Sequence, residues 1–280
     1  PSLKGSISLN GALIDDLYLI KYAQTVDKKN DPVELLTPAG AKNAYYVPSA
    51  YFAQNVPGMP DNNTVWTLTG GSVLSPGQPV VLSYVNGTGL TFTRTLSIDA
   101  NYMITEDDAV TNTSGSPVSF QPFSVVMRSG IPAEAGKNSM VHEGAIATYS
   151  KTVDKPKLSD YRTASLKYKD MAKPKAPKSL ESQDSVGGWY GITDKYWMAA
   201  VIPNQAQPVS YTAKAIVTDG VPVFRSGYVD APVTVGPGQT WKAQSHVFAG
   251  AKQNTQLQVY EDSLHIPRFH WAIDWGMLSV

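Results

Sequence analysis

Cysteine is absent from this chain of 280 residues, so neither a disulfide scaffold nor a thiolate metal site can be built from it. A surplus of charge is missing as well. The 23 basic residues balance the 23 acidic ones, which leaves no net field to draw the chain to nucleic acid or to an acidic partner, and any electrostatic argument must be local. No apolar run approaches the roughly 18–20 residues that a membrane-crossing helix needs. Histidine occurs only at His142, His246, His265 and His270, in none of the spacings that bind zinc. Nucleophile elbows, phosphate loops and dinucleotide fingerprints are also missing. These absences exclude the common catalytic and cofactor classes, and no metal, cofactor or catalytic set is expected.

What is present is a succession of short apolar runs broken by Gly, Pro, Asn and Ser, a pattern that predicts a sandwich in a single large domain. The most apolar and aromatic stretch runs from Gly187 to Pro203. Two runs there, Trp189 to Ile192 and Tyr196 to Ile202, flank a Thr193-Asp194-Lys195 turn. The second run is apolar on both faces and belongs at the centre of a sheet, with Trp189 and Trp197 in the core. A second hairpin joins Pro79–Val85 to Leu90–Ile98 through Asn86-Gly87, whose glycine supplies positive φ cheaply, with Leu90, Phe92, Leu96 and Ile98 on one face. Further strands are predicted within Leu3–Tyr22, Tyr102–Asn112, Val118–Met127, Tyr211–Val217, Val221–Val229 and Trp241–Ala249. Prolines between Pro32 and Asn63 assign that segment to edges or loops.

Two segments break the pattern. Residues 151–183 are rich in lysine and interrupted by Pro156, Pro174 and Pro177, which reads as a solvated basic excursion. Lys155, Lys157, Lys167 and Lys169, with Tyr161 and Tyr168 as exposed aromatics, are its candidate partner-binding residues. The chain end reads as helix. Leu257, Tyr260 and Leu264 recur at helical spacing, Ile266-Pro267 breaks the run, and a second apolar stripe begins at Phe269. The expected division is a β domain over 1–264 and, over 265–280, the start of an amphipathic helix leading to a membrane span. The chain is thus expected to be one domain of a longer protein.

The remaining polar clusters carry little chemistry. His142 and Glu143 are adjacent, so in a strand they would point to opposite faces and could not address one substrate, which favours a loop role. Asp15-Asp16 and Glu106-Asp107-Asp108 lack the calcium-loop pattern and read as turn residues.

The segment Gly187-Gly188-Trp189-Tyr190-Gly191-Ile192-Thr193-Asp194-Lys195-Tyr196-Trp197 resembles a stretch of the large periplasmic domain of YidC-type bacterial membrane protein insertases. The likeness extends in order along the chain. It takes in Gly5-Ser6-Ile7 through Asp15-Asp16-Leu17, the Asn86-Gly87 hairpin, Asp99-Ala100-Asn101-Tyr102-Met103, His142-Glu143-Gly144, Phe248-Ala249-Gly250-Ala251-Lys252, and Ile266-Pro267-Arg268-Phe269-His270-Trp271-Ala272-Ile273-Asp274-Trp275-Gly276. His270 departs from the family, which usually has Asp there, as does Met277 in place of an aromatic.

The resemblance implies an all-β, galactose mutarotase-like β-supersandwich with short C-terminal α-helices. It also implies a non-catalytic domain in the periplasm, on an inner-membrane parent, that docks the Sec translocon, the SecDF auxiliary complex and nascent membrane proteins. Phe269, Trp271, Ile273, Asp274 and Trp275 would seat the C-terminal helix on the membrane core and at the membrane surface. No nucleic acid partner is implied. The competing expectation is a carbohydrate-binding or aldose-epimerase-like domain that uses the sandwich cleft.

Overall fold

The computed structural model describes residues 2–24, 31–137 and 141–273. Alternating apolar and polar residues open the chain with an antiparallel three-stranded sheet of β1 (Leu3–Ser8), β2 (Leu13–Ala23) and β3 (Pro32–Leu36). Asp15 and Asp16 lie inside β2 rather than in a turn, because the strand continues through them. The proline-rich segment that follows forms two short strands, β4 (Tyr45–Tyr46) and β5 (Ser49–Phe52), separated by Pro48. Both lie antiparallel along β10 (Val118–Ser129).

Before β10 comes a meander of β6 (Thr67–Gly70), β7 (Val80–Val85), β8 (Leu90–Ile98) and β9 (Met103–Asn112). After it come β11 (Gly144–Ser150), β12 (Tyr161–Lys167), the one-turn helix α1 (Tyr168–Met171) and β13 (Leu180–Val186). The aromatic hairpin is β14 (Trp189–Thr193) and β15 (Trp197–Ile202), followed by β16 (Pro208–Thr218), β17 (Val221–Asp230), β18 (Val233–Val235) and β19 (Thr240–Ala251). The helix α2 (Asn254–Leu264) and a 3-10 turn over Phe269–Ala272 end the described chain.

The strands assemble into two large sheets. One has nine strands in the order β12-β11-β14-β15-β19-β9-β8-β7-β6, and the other has seven, built on β13-β16-β17-β10-β18 with β4 and β5 added along β10. Together they form a β-supersandwich. The fully apolar hairpin holds the third and fourth places of the larger sheet and is buried on both faces, apart from half-buried Trp197. Successive residues of β14 divide the work between those faces. Tyr190 points to the smaller sheet and stacks on Tyr211 with ring centroids 5.0 Å apart, while Trp189 points the other way and meets Phe269 edge-on at 5.3 Å.

Gly188 makes this close packing possible. Its φ is +88°, and a Cβ there would stand 2.1 Å from the Thr148 carbonyl oxygen of the neighbouring strand. The α2 helix ends at His265, which adopts the left-handed conformation and lets Pro267 turn the chain back. Ile266, Phe269 and Ala272 are then buried in the same apolar cluster as both sheets. The packed unit therefore runs past the boundary expected after residue 264.

Candidate functional site

The basic stretch 151–183 is less of an excursion than its composition predicts. Its middle is β12, paired with β11 over seven residues from Ser150↔Tyr161 to Gly144↔Lys167, so it forms the edge of the nine-stranded sheet. Tyr161 and Tyr168 are buried, a correction to their expected exposure. The Tyr161 hydroxyl donates to the Val186 carbonyl at 2.8 Å. Tyr168 donates to Asp194 Oδ1 at 2.9 Å and accepts from Arg128 Nη1 at 3.2 Å, while Arg128 also pairs with Asp194 at 2.6 Å. Burial, with the Asp194 carboxylate beside it, pushes the Tyr168 hydroxyl well above its ordinary pKa. Both tyrosines fasten the stretch to the body, because a large ring beside a lysine-rich run still buries when its strand joins a sheet.

The lysines do stay outside. Lys155, Lys157, Lys167 and Lys169 are all exposed. Asp160 orders the approach to β12 by accepting from the Lys157 backbone N–H at 2.8 Å, and Lys173 pairs with Asp170 at 2.9 Å. The hydrogen bond from Lys173 holds the Asp170 carboxyl below its usual range. The result is a cationic group at and around a free sheet edge, where a lysine such as Lys167 also opposes unwanted edge pairing.

The described part of the expected C-terminal helix is a 3-10 turn over Phe269–Ala272, followed by Ile273 with an extended backbone; residues 274–280 lie outside the described residues. Phe269 is completely buried against Trp189, Phe248 and Tyr260, which is a correction to its expected role on an outer docking face. Trp189 Nε1 donates to the Pro267 carbonyl at 3.0 Å, and His270 pairs with Glu261. Ile273 is half-buried. Trp271 alone of these is presented outward, 48 % exposed, with the Arg268 guanidinium 4.3 Å from its ring centre. Asp274 and Trp275 lie outside the described residues.

His142 and Glu143 hold a loop, as expected. His142 Nε2 bonds the Ala145 carbonyl at 2.9 Å, and Glu143 accepts from the Gly136 N–H at 2.8 Å.

A polar cluster between the two large sheets escaped the sequence reading. Glu106 and Asp108 sit inside β9 on the inward face, and Arg94 lies on the core face of β8 directly opposite Asp108. Arg94 donates from Nε and Nη2 to both Asp108 oxygens at 2.7 Å each, and from Nη1 to the Ser49 carbonyl at 2.9 Å. Tyr51 donates to Asp108 at 2.7 Å, and Ser49 Oγ donates to Glu106 Oε2 at 2.8 Å. Burial raises the Glu106 carboxyl above its ordinary value. The correction to the turn reading has a plain signal: residues two apart in a strand share a face, so Glu106 and Asp108 turn inward together while Asp107 faces out to Gln244.

Among the described residues no group of three His, Cys, Asp or Glu side chains could hold a metal ion, and no helix is long and apolar enough to cross a membrane.

Comparison with known proteins places this architecture. In the fold it is similar to a galactose mutarotase-like protein from Lactobacillus casei, with a TM-score of 0.56 at 11 % identity, over 89 % of this chain and 97 % of that one. It is likewise similar to a galactose mutarotase related enzyme from Lactobacillus acidophilus, with a TM-score of 0.54 at 13 % identity, over 89 % of this chain and 94 % of that one. At such identities the likeness is one of fold alone. In sequence the chain is similar to a membrane protein insertase YidC from Caulobacter vibrioides, 42 % identical over 99 % of this chain and 46 % of the relative. A second membrane protein insertase YidC, from Brucella suis, is 41 % identical over 99 % of this chain and 43 % of its own length. The chain thus spans about half the length of these relatives. A family model of the YidC periplasmic domain matches residues 1–280. The chain belongs to the YidC periplasmic domain family.

Proposed function

We propose that the chain is the non-catalytic periplasmic interaction module of an inner-membrane protein insertase, docking Sec auxiliary proteins such as the SecDF complex and contacting the translocon and nascent membrane proteins. The observation that carries the reading is the exposed lysine group around the free β12 edge: Lys167 at the end of the strand, Lys169 in α1 beside it, and Lys155 and Lys157 in the loop that leads into it. Solvated cations clustered beside a fixed sheet edge steer an acidic partner towards it. Trp271, with Arg268 over its ring, would meet the membrane surface, since an aromatic ring with one wet edge suits the headgroup layer.

The test uses the full-length parent protein. Reversing Lys155, Lys157, Lys167 and Lys169 to Glu is expected to abolish crosslinks from this edge to SecDF while the domain stays folded. The same reversal at Lys214 on β16 should leave them intact. Crosslinks that persist in the fourfold variant would overturn the docking assignment.

A further inference from the structure

Between β5, β9, β17 and β19 the two large sheets part around a recess of about 120 Å³, lined by Ser49, Ser124, Tyr228, Asp230, Trp241 and Gln244 among others. Several water molecules, or the end of one side chain, would fill it. Two carboxylate oxygens in this region are buried and have no hydrogen-bond partner among the described residues: Oδ1 of Asp230, on the wall, and Oε1 of Glu106. Glu106 is 2 % exposed and lies behind the hydroxyls of Ser49 and Ser245, both of which line the recess. A buried polar atom left without a partner is costly, and a buried anion more so.

The wall of the recess carries the Asp108 and Asp230 carboxyls, with Lys242 at its exposed rim; Asp108 is paired with Arg94, whereas Asp230 Oδ1 has no partner among the described residues. Arg94 is already engaged by both Asp108 oxygens and the Ser49 carbonyl. The Trp241 ring, held edge-on to Tyr51 and Phe120, adds an aromatic wall.

We infer that this recess receives the ammonium or guanidinium end of a lysine or arginine side chain presented by a polypeptide. A monovalent organic cation pairs with the Asp230 carboxylate on the wall and rests against Trp241. A neutral polyol could donate hydrogen bonds but would leave the ionised Asp230 carboxylate uncompensated. The site lies apart from the β12 edge and stands or falls independently of the docking reading.

Occupancy depends on pH through Asp230, whose carboxyl is pushed up to about 7 by burial. The charged or titratable groups around it are Glu106 and Asp108 on β9, Arg94 on β8, Tyr228 on β17 and Lys242 on β19. A bound cation favours the ionised form, so binding strengthens as pH rises through that value.

The experiment is a titration of the chain, followed by amide chemical shifts, with a glycine-flanked arginine tripeptide, its citrulline counterpart, methylguanidinium and galactose. The arginine peptide should shift the amides of Ser124, Tyr228 and Gln244, and bind at least about tenfold tighter than the citrulline peptide. Its affinity should rise between about pH 6 and about pH 8, and Asp230→Asn should remove that rise. Equal response to citrulline, a galactose response at the same amides, or no response at about pH 8 would overturn the inference. Tighter binding of methylguanidinium than of the peptide would overturn the polypeptide source.

Discussion

Arg94 illustrates how one residue can decide the interior of a sandwich. Its guanidinium is the countercharge for two inward carboxylates, and removing it strands them in a medium that cannot solvate ions. Arg94→Met is therefore expected to cost about 3–5 kcal/mol, read from urea denaturation at neutral pH. Asp230 behaves oppositely. Its folded-state pKa, raised by burial to about 7, lies above the unfolded value, so protonation favours the native state. The stability it contributes is complete below the ordinary aspartate range and is lost as pH rises to about 7. A shift of that size has a ceiling of about 4 kcal/mol between the two protonation states. Asp230→Asn should flatten the decline in stability between about pH 4 and about pH 7, with denaturation midpoints across that range as the measurement. An unchanged pH profile would sink the assignment.

At the level of the element, the C-terminal turn and the β12 edge exchange some of the roles their composition suggests. Phe269 closes the outer face of the larger sheet against Trp189 and Phe248, so Phe269→Ala should leave a cavity and cost about 3–5 kcal/mol in thermal or chemical unfolding. Gly188→Ala should also destabilise, by more than about 1 kcal/mol, because the added Cβ meets the Thr148 carbonyl and φ is positive. Deleting residues 157–175 would remove β12 together with the buried Tyr161, Tyr168 and Met171, and so would report on folding rather than on docking. Point reversals of the lysines isolate the surface, since exposed substitutions of this kind usually change stability by less than about 0.5 kcal/mol.

Across the whole molecule, both sheets and the C-terminal turn share one apolar cluster. The hairpin of β14 and β15 lies within it, flanked by β11 and β19. Its amides should therefore be the slowest to exchange with solvent, opening only in global unfolding, whereas those of the free β12 edge should exchange through smaller openings. Native-state hydrogen exchange checks this order, and faster exchange in β14 than in β12 would contradict it.

Strand-forming runs, the central hairpin and the final helix were legible because apolar periodicity is a local property of the chain. Residues 189–202 carry their burial on both faces in their own composition, and Leu257 and Tyr260 carry the face of α2 in their spacing. Exposure was not local in the same sense. Tyr161 and Tyr168 lie among lysines and read as solvent-facing until β12 pairs with β11 and carries both rings inward. Glu106, Asp107 and Asp108, which lack a calcium-loop pattern, read as turn residues, and only the register that sets Arg94 opposite Asp108 shows how they are held within a strand. The sequence by itself determined the period of strands such as those of the two hairpins, and the identity of the family, whose motifs are contiguous. Tertiary structure alone decided which charges meet, because cross-strand partners lie far apart along the chain and are joined only by register and by the packing of one sheet on the other.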